Sequence, residues 1–335
     1  MSADRKKAHI DLALQSQTGL SEKDQRFNYE PLLSAHPGGA LKPFEFLGKT
    51  MRAPVWVSSM TGGTEAAVVI NRNLARACQE FGLGMGLGSC RILLEENKHP
   101  DHFFLKEYIG NEVPFYANLG IAQIEQALTR KSVDKILEMI DRIQADGLII
   151  HINPLQEWLQ PEGEIIKRPP IEVIAEFISQ VNLRVVVKEV GQGMGPESLR
   201  QLMALPLQAV DFGAFGGTNF AKLELHRNTP VQQQMFEPIS HVGNDAYEML
   251  ETINQTVARN PAVATREIII SGGIKTFLDG YYFIRKSSLP AIYGQASSFL
   301  KFARDDYDTL REYVQYQLKG LEMAYAYLTL KENPS

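Results

Sequence analysis

Eight short apolar runs recur along this chain, at residues 53–60, 84–89, 113–120, 147–153, 184–191, 209–214, 266–273 and 290–297. Each is continuous rather than alternating. Continuous runs are the pattern of parallel strands covered on both faces, whereas strands with one wet face alternate. Helical stretches separate most of them, among them 66–80, 124–145, 171–181 and a terminal helix at roughly 305–330. Eight strand–helix units in about 245 residues predict an α/β fold closed as a (β/α)8 barrel. The alternative, an open doubly wound sheet, usually carries GxGxxG at its first strand–helix turn, and the turn here reads SSMTGGTE. Residues 1–50 are charged and turn-rich and read as an N-terminal arm, leaving 51–335 for the barrel, with a polar insertion at about 216–243 after the sixth strand. The chain has 335 residues, 44% of them hydrophobic, which suffices for one core of this kind.

Charge and cysteine content narrow the function. A net charge of −5 argues against a general nucleic-acid or anionic-membrane binder, while an anionic small ligand remains compatible. Cys78 and Cys90 form neither a disulfide framework nor a zinc pattern. The start MSADRKKAHI lacks the apolar core of a secretory signal, and no apolar stretch approaches a membrane span, so a cytoplasmic location is expected.

In such a barrel the chemistry sits at the C-terminal ends of the strands. The unusual polar groups all fall there: MTGG at 60–63, then Ser89 and Arg91, Asn118, the cluster His151, Asn153, Gln156 and Glu157, Lys188 with Glu189, FGGTNF at 215–220, SGGIK at 271–275 and GQAS at 294–297. The last two follow strands seven and eight, where small residues let backbone N–H groups approach a phosphate; tight turns are the other reading. Lys188 inside VVVKEV calls for an anionic partner, either an internal one such as Asp211 or the electron-rich ring of a reduced flavin. Glu157 is a solvated loop carboxylate or a single Mg²⁺ ligand completed by phosphate oxygens and water. Gln156 is neutral and cannot be a strong base, but it can orient a reacting group. His151 is a donor to a phosphate oxygen or a core histidine. Arg5, Lys6 and His9 fall within about one helical turn, as a solvated tail or as an arm folding over an anionic substrate.

These segments together resemble the type 2, FMN-dependent isopentenyl-diphosphate isomerases over nearly the whole chain. The matching pieces are RKxxHI at 5–10, MTGG at 60–63, GSxR at 88–91, NxG at 118–120, HxNxxQE at 151–157, KEVGxG at 188–193, GGTxFxxxE at 216–224, SGGI at 271–274 and GxA at 294–296. RKxxH and HxNxxQE are specific to that class; the glycine motifs are shared with other FMN barrels. The resemblance implies interconversion of isopentenyl and dimethylallyl diphosphate on reduced FMN, with Mg²⁺, NADPH or NADH as reductant, and a homotetramer or homo-octamer. It assigns FMN to Met60, Thr61, Gly62, Ser89, Asn118, Lys188, Thr218, Gly272, Gly273, Lys275, Gln295 and Ala296. It assigns the diphosphate substrate to Arg5, Lys6, His9, Arg91, His151 and Asn153, Mg²⁺ to Glu157, and the reacting carbons to Gln156, oriented by Glu224. His151, Gln156 and Glu224 are the catalytic candidates. Lys275, Phe277, Ser297, Ser298 and the stretch DFGAFGG depart from the family pattern. Two rivals share the barrel: an FMN-dependent 2-hydroxy acid oxidase or dehydrogenase, which needs a histidine–arginine pair that DFGAFGG lacks, and a non-catalytic phosphate-ligand sensor.

Overall fold

Each of the eight apolar runs contains one barrel strand. The computed structural model describes residues 3–39, 41–58, 65–95 and 101–332. Twelve strands occur among them: β1 Phe27–Tyr29, β2 Phe44–Phe46, β3 Lys49–Met51, β4 Val55–Val57, β5 Gly84–Gly86, β6 Phe115–Gly120, β7 Gly147–Ile152, β8 Val185–Glu189, β9 Ala209–Asp211, β10 Ile268–Ser271, β11 Ala291–Gln295 and β12 Leu328–Leu330. Strands β4 to β11 close into a barrel in chain order, all pairs parallel, with β11 returning to β4.

Side chains alternate along a strand with period 2, so each strand gives one set to the axis and one to the surrounding helices. The axial set forms its own apolar cluster: Trp56, Tyr116, Ile149, Val186, Ala209, Ile269 and Ile292, one from each strand except β5. Gly84 of β5 yields its place to Trp56, whose ring lies 2.5 Å from where a Cβ on Gly84 would stand. The outward set packs under the helices, which explains why the runs read as continuously apolar.

The structure divides residues 1–50. Helix Ala3–Ala13 is exposed at every residue from Arg5 onward. Strand β1, by contrast, pairs antiparallel with β12, Phe27 opposite Leu330. The β2–β3 hairpin turns at Leu47 and Gly48, both with positive φ, and its Phe46, Leu47 and Met51 join the axial cluster. The hairpin 44–51 therefore closes the axial cluster, while β1 packs on the outside of the barrel with β12. The helix expected over 124–145 is two helices, Ile121–Thr129 and Val133–Ile143. Lys131 turns left-handed (φ 53°), and Ser132 N–H bonds back to the Ala127 carbonyl, which ends the first helix. The insertion after β9 carries helices Phe220–Leu225 and Pro230–Ser240. Among the described residues no helix is long and apolar enough to cross a membrane.

Candidate active site

Two residues beyond each axial apolar residue, toward the C-terminal mouth, the next inward position is polar or glycine: Ser58, Asn118, His151, Lys188, Asp211, Ser271 and Gly294. A Cβ on Gly294 would lie 2.7 Å from Ser58 Oγ and 2.8 Å from Ser271 Cβ, which places all three on the axis. The barrel thus carries an apolar layer capped by a polar ring.

Within the ring, Asn118 Nδ2 donates to the Leu87 carbonyl at 3.0 Å, which turns its Oδ1 to His151 Nδ1 at 2.9 Å. The carbonyl oxygen only accepts, so His151 Nδ1 is the donor. Burial, reinforced by Lys188, keeps the imidazole neutral down to about 3. Neutral His151 therefore offers a lone pair at Nε2 beside Gly120, and donation to a phosphate oxygen requires a second proton. The unfolded chain takes up a proton near 6.5 that the folded chain refuses. Stability should therefore fall as pH drops from about 6.5 toward 3. Urea midpoints across that range should show the slope, and His151→Asn should flatten it; an unchanged slope in the variant would contradict a neutral His151.

Above the ring opens a cavity of ≈ 420 Å³ lined by Ser58, Lys188, Thr218, Ser271, Lys275 and Ala296 among others. Its wall is bare backbone. A Cβ on Gly217 would meet Gly273 N at 3.2 Å, and one on Gly272 (φ +87°) would meet Ala214 O at 2.1 Å. Only glycines let these two loops approach so closely, and Gly216, Gly217, Gly272 and Gly273 all line the cavity. Ser58 Oγ lines the same cavity, buried and without a hydrogen-bond partner. Glu189 faces away; its Oε2 accepts from Gly191 N at 2.6 Å, Gln192 N at 2.7 Å and Gly193 N at 2.9 Å, pinning the loop after β8.

The cluster after β7 forms a second network beside the mouth. Asn153 Nδ2 donates to Gln156 Oε1 at 3.2 Å and to Glu157 Oε1 at 2.9 Å. Gln156 Nε2 donates to Glu224 Oε1 at 3.3 Å, and Arg227 holds the other oxygen of the buried Glu224 at 2.6 Å. Gln156 is thereby locked between an amide and a carboxylate. Glu157 Oε2 accepts from Glu164 N at 2.7 Å, while the Glu164 carboxylate accepts from Gln126 at 3.0 Å and meets Arg91 at 3.3 Å. The short segment 160–164 so bridges Glu157 and Arg91.

Of the residues expected to contact FMN, Lys188, Thr218, Gly272, Gly273, Lys275, Gln295 and Ala296 line the cavity. Asn118 reaches His151 instead, and exposed Ser89 does not line the cavity. Gln295, one residue past Gly294, lines the cavity while its side chain is tied outward: its Nε2 bonds the Ile274 carbonyl at 3.2 Å and its Oε1 accepts from Gln317 at 2.5 Å. Arg5, Lys6 and His9 lie exposed on Ala3–Ala13 and make no hydrogen bond or ion pair among the described residues. Met60, Thr61 and Gly62 lie outside the described residues. Ser58 was not singled out by sequence reasoning, and Ser271 only as the first residue of SGGIK; the signal for both was their place two residues beyond an axial apolar residue.

No family model matches the chain. The isopentenyl-diphosphate delta-isomerase of Rickettsia africae is 34% identical over 281 residues, covering 83% of this chain and 78% of that protein. The Rickettsia prowazekii enzyme of the same name is 32% identical over 333 residues, covering 96% and 92%. The chain belongs to the isopentenyl-diphosphate delta-isomerase family. Another such isomerase, from a Nostoc species, is 34% identical over 269 residues, covering 80% and 73%. Among solved structures, a flavocytochrome b2 with sulfite bound superposes with a TM-score of 0.62 at 12% identity, covering 89% of this chain and 71% of that one. A mandelate oxidase with a monooxide FMN adduct gives 0.56 at 14% identity, covering 98% and 99%. At such identities these two speak for the barrel, and the family membership of this isomerase rests on the sequence relatives.

Proposed function

We propose that this isomerase interconverts isopentenyl and dimethylallyl diphosphate with the help of a reduced FMN, which the cavity would hold, and of Mg²⁺, for which Glu157 would be the protein ligand. The observation that carries the reading is the polar ring with Lys188 at the floor of a glycine-walled cavity, next to the locked Gln156–Glu224 pair.

The residues fit a flavin. The bare backbone of 216–217 and 272–273 suits its phosphate, Lys275 adds a cation there, and the unpartnered Ser58 Oγ and the Lys188 ammonium suit the ring's polar edge. Bound in reduced form, FMN would supply an electron-rich surface able to stabilise positive charge that develops on the substrate during the proton shift. Lys188 offsets negative charge at the ring edge. Gln156, held from both ends, fixes the alkene's position; being neutral, it does not compete for the proton. Glu157 fits a metal only as a single ligand: among the described residues no group of three or more His, Cys, Asp or Glu gathers to hold an ion. A single carboxylate with phosphate oxygens and water is the ordinary environment of Mg²⁺. Arg91 and Asn153 would serve the diphosphate as donors, and His151, whose single proton is held on Asn118, would join them only by taking up a second proton. NADPH or NADH would supply electrons to the flavin, and the working form would be a cytoplasmic homotetramer or homo-octamer, as in the family the motifs resemble.

The test is direct. Purified protein should be yellow, and after anaerobic reduction should convert isopentenyl diphosphate only with Mg²⁺ present. Turnover with oxidised flavin, or without any flavin, would sink the reading, while oxidation of lactate-like acids would favour the hydroxy-acid rival. Gln156→Asn withdraws the amide by one methylene. It should keep FMN yet lose about 10²-fold in rate, the usual penalty for an ångström of misplacement. A normal rate would remove Gln156 from the reacting carbons.

A further inference from the structure

Asp211 ends β9 and is 0% exposed. Its Oδ1 accepts from Ser271 Oγ, which in turn accepts from Gly213 N at 2.9 Å; its Oδ2 has no hydrogen-bond partner. A buried carboxylate with one oxygen unsatisfied is costly and persists only where a compensating charge stands close. The strand register supplies one. Lys188 of β8 pairs with Asp211 of β9, and His151 of β7 pairs with Lys188, so the three share one level of the ring. No ion pair within 4 Å joins Lys188 to a carboxylate among the described residues, and Lys188 lines the cavity. Its charge is thus divided between an acid behind it and whatever lies in front.

We propose that Asp211 is a positioning residue: it is the counter-charge that holds Lys188 at the cavity floor and sets how much of its positive charge a bound flavin ring feels. This rests on the FMN reading above. The charged and titratable groups around it are Lys188 on β8 and, beyond Lys188, neutral His151 on β7 and Glu189, which burial pushes up to about 7 and which titrates alike in wild type and variant; β10 presents only the Ser271 hydroxyl. Burial pushes Asp211 up to about 6, with Lys188 and Ser271 pulling the other way. Above that pH the ionised acid cancels part of the lysine's charge. Below it, Lys188 acts undiminished on the flavin and favours its anionic reduced form.

The experiment compares the reduction potential of FMN-loaded wild type and Asp211→Asn, equilibrated with a reference dye at pH 8 and pH 5. At pH 8 the variant should favour reduced over oxidised flavin about tenfold more, a rise of about 30 mV for a two-electron couple. At pH 5, where wild-type Asp211 is itself protonated, the gap should shrink. Equal potentials at pH 8, or a lower one in the variant, would overturn the proposal. If Asp211→Asn does not fold, Ser271→Ala keeps the acid but removes a donor. The bend in the wild-type potential near pH 6 should then move to higher pH, and an unmoved bend counts against the proposal. Wild-type protein that holds no FMN would overturn the flavin reading and this inference together; FMN held at unchanged potential in the variants overturns this inference alone.

Discussion

Lys188→Met should cost this protein both its cofactor and part of its stability. Methionine is close in length and keeps the stem's packing, so the change isolates the charge. Without the ammonium, the buried Asp211 has no cation on the ring, and its unpartnered oxygen faces an apolar neighbour. Removing one member of a buried charged pair leaves an uncompensated charge; because these two are not directly hydrogen-bonded, the expected loss is about 2 kcal/mol at pH 8. The pH dependence gives the sign. Asp211 already stands above its ordinary 3.8, at about 6, and loss of Lys188 raises it further. A folded acid with a raised value costs stability above that value, and the cost fades as pH falls toward 3.8. Urea unfolding should therefore show a clear deficit at pH 8 and a smaller one at pH 5. The same variant should bind FMN weakly and turn over isopentenyl diphosphate at under about 1% of the normal rate. Tight FMN binding with near-normal turnover would mean that Lys188 serves the fold only.

Gly272→Ala should be nearly as damaging, for a steric reason. Gly272 sits at φ +87°, and the added Cβ would lie 2.1 Å from Ala214 O and 2.3 Å from Ala214 N. Both obstacles are backbone of the β9 exit, so relief requires the two loops to part. Backbone strain of this kind costs about 1–3 kcal/mol even without the clash. Parting the loops would also scatter the N–H groups that suit a phosphate. FMN titrated into apoprotein, followed by quenching of its fluorescence, should bind at least about 10²-fold more weakly than to wild type. Gly217→Ala makes a graded comparison, because its Cβ would press on Gly273 N at 3.2 Å, a tight contact that a shift of a few tenths of an ångström relieves. Gly38→Ala meets nothing within 4 Å and serves as the neutral control. Wild-type affinity in Gly272→Ala would detach this loop from any phosphate.

How much of this was legible follows from where the information lies. The runs at 147–153 and 184–191 carry enough β-branched and apolar residues to be read as strands from their own composition, and β7 and β8 lie within them. The polar residues at the strand exits were legible too, and Lys188, Thr218, Gly272, Gly273 and Lys275 do meet in one cavity. The pairing of β1 with β12 was not. Each is three residues long, too short for a period to show, and Phe27 and Leu330 lie at opposite ends of the chain. The partners of the Gln295 side chain, Ile274 and Gln317, were not legible for a related reason: they come from separate elements of the chain. The hold of segment 160–164 on Glu157 and Arg91 likewise arises from residues whose partners come from separate elements.

The chain by itself determined that eight parallel strands would form, that they would be buried on both faces, and that their C-terminal ends would be polar. Those are local properties of composition and order. Only closure of the barrel decided which alternate residues face the axis. Until β11 pairs with β4 there is no inside, so Ser58, Asn118, His151, Lys188, Asp211 and Ser271 are six unrelated polar residues; the parallel register then sets them around one axis, close enough for their charges and hydrogen bonds to act on each other and on a single ligand.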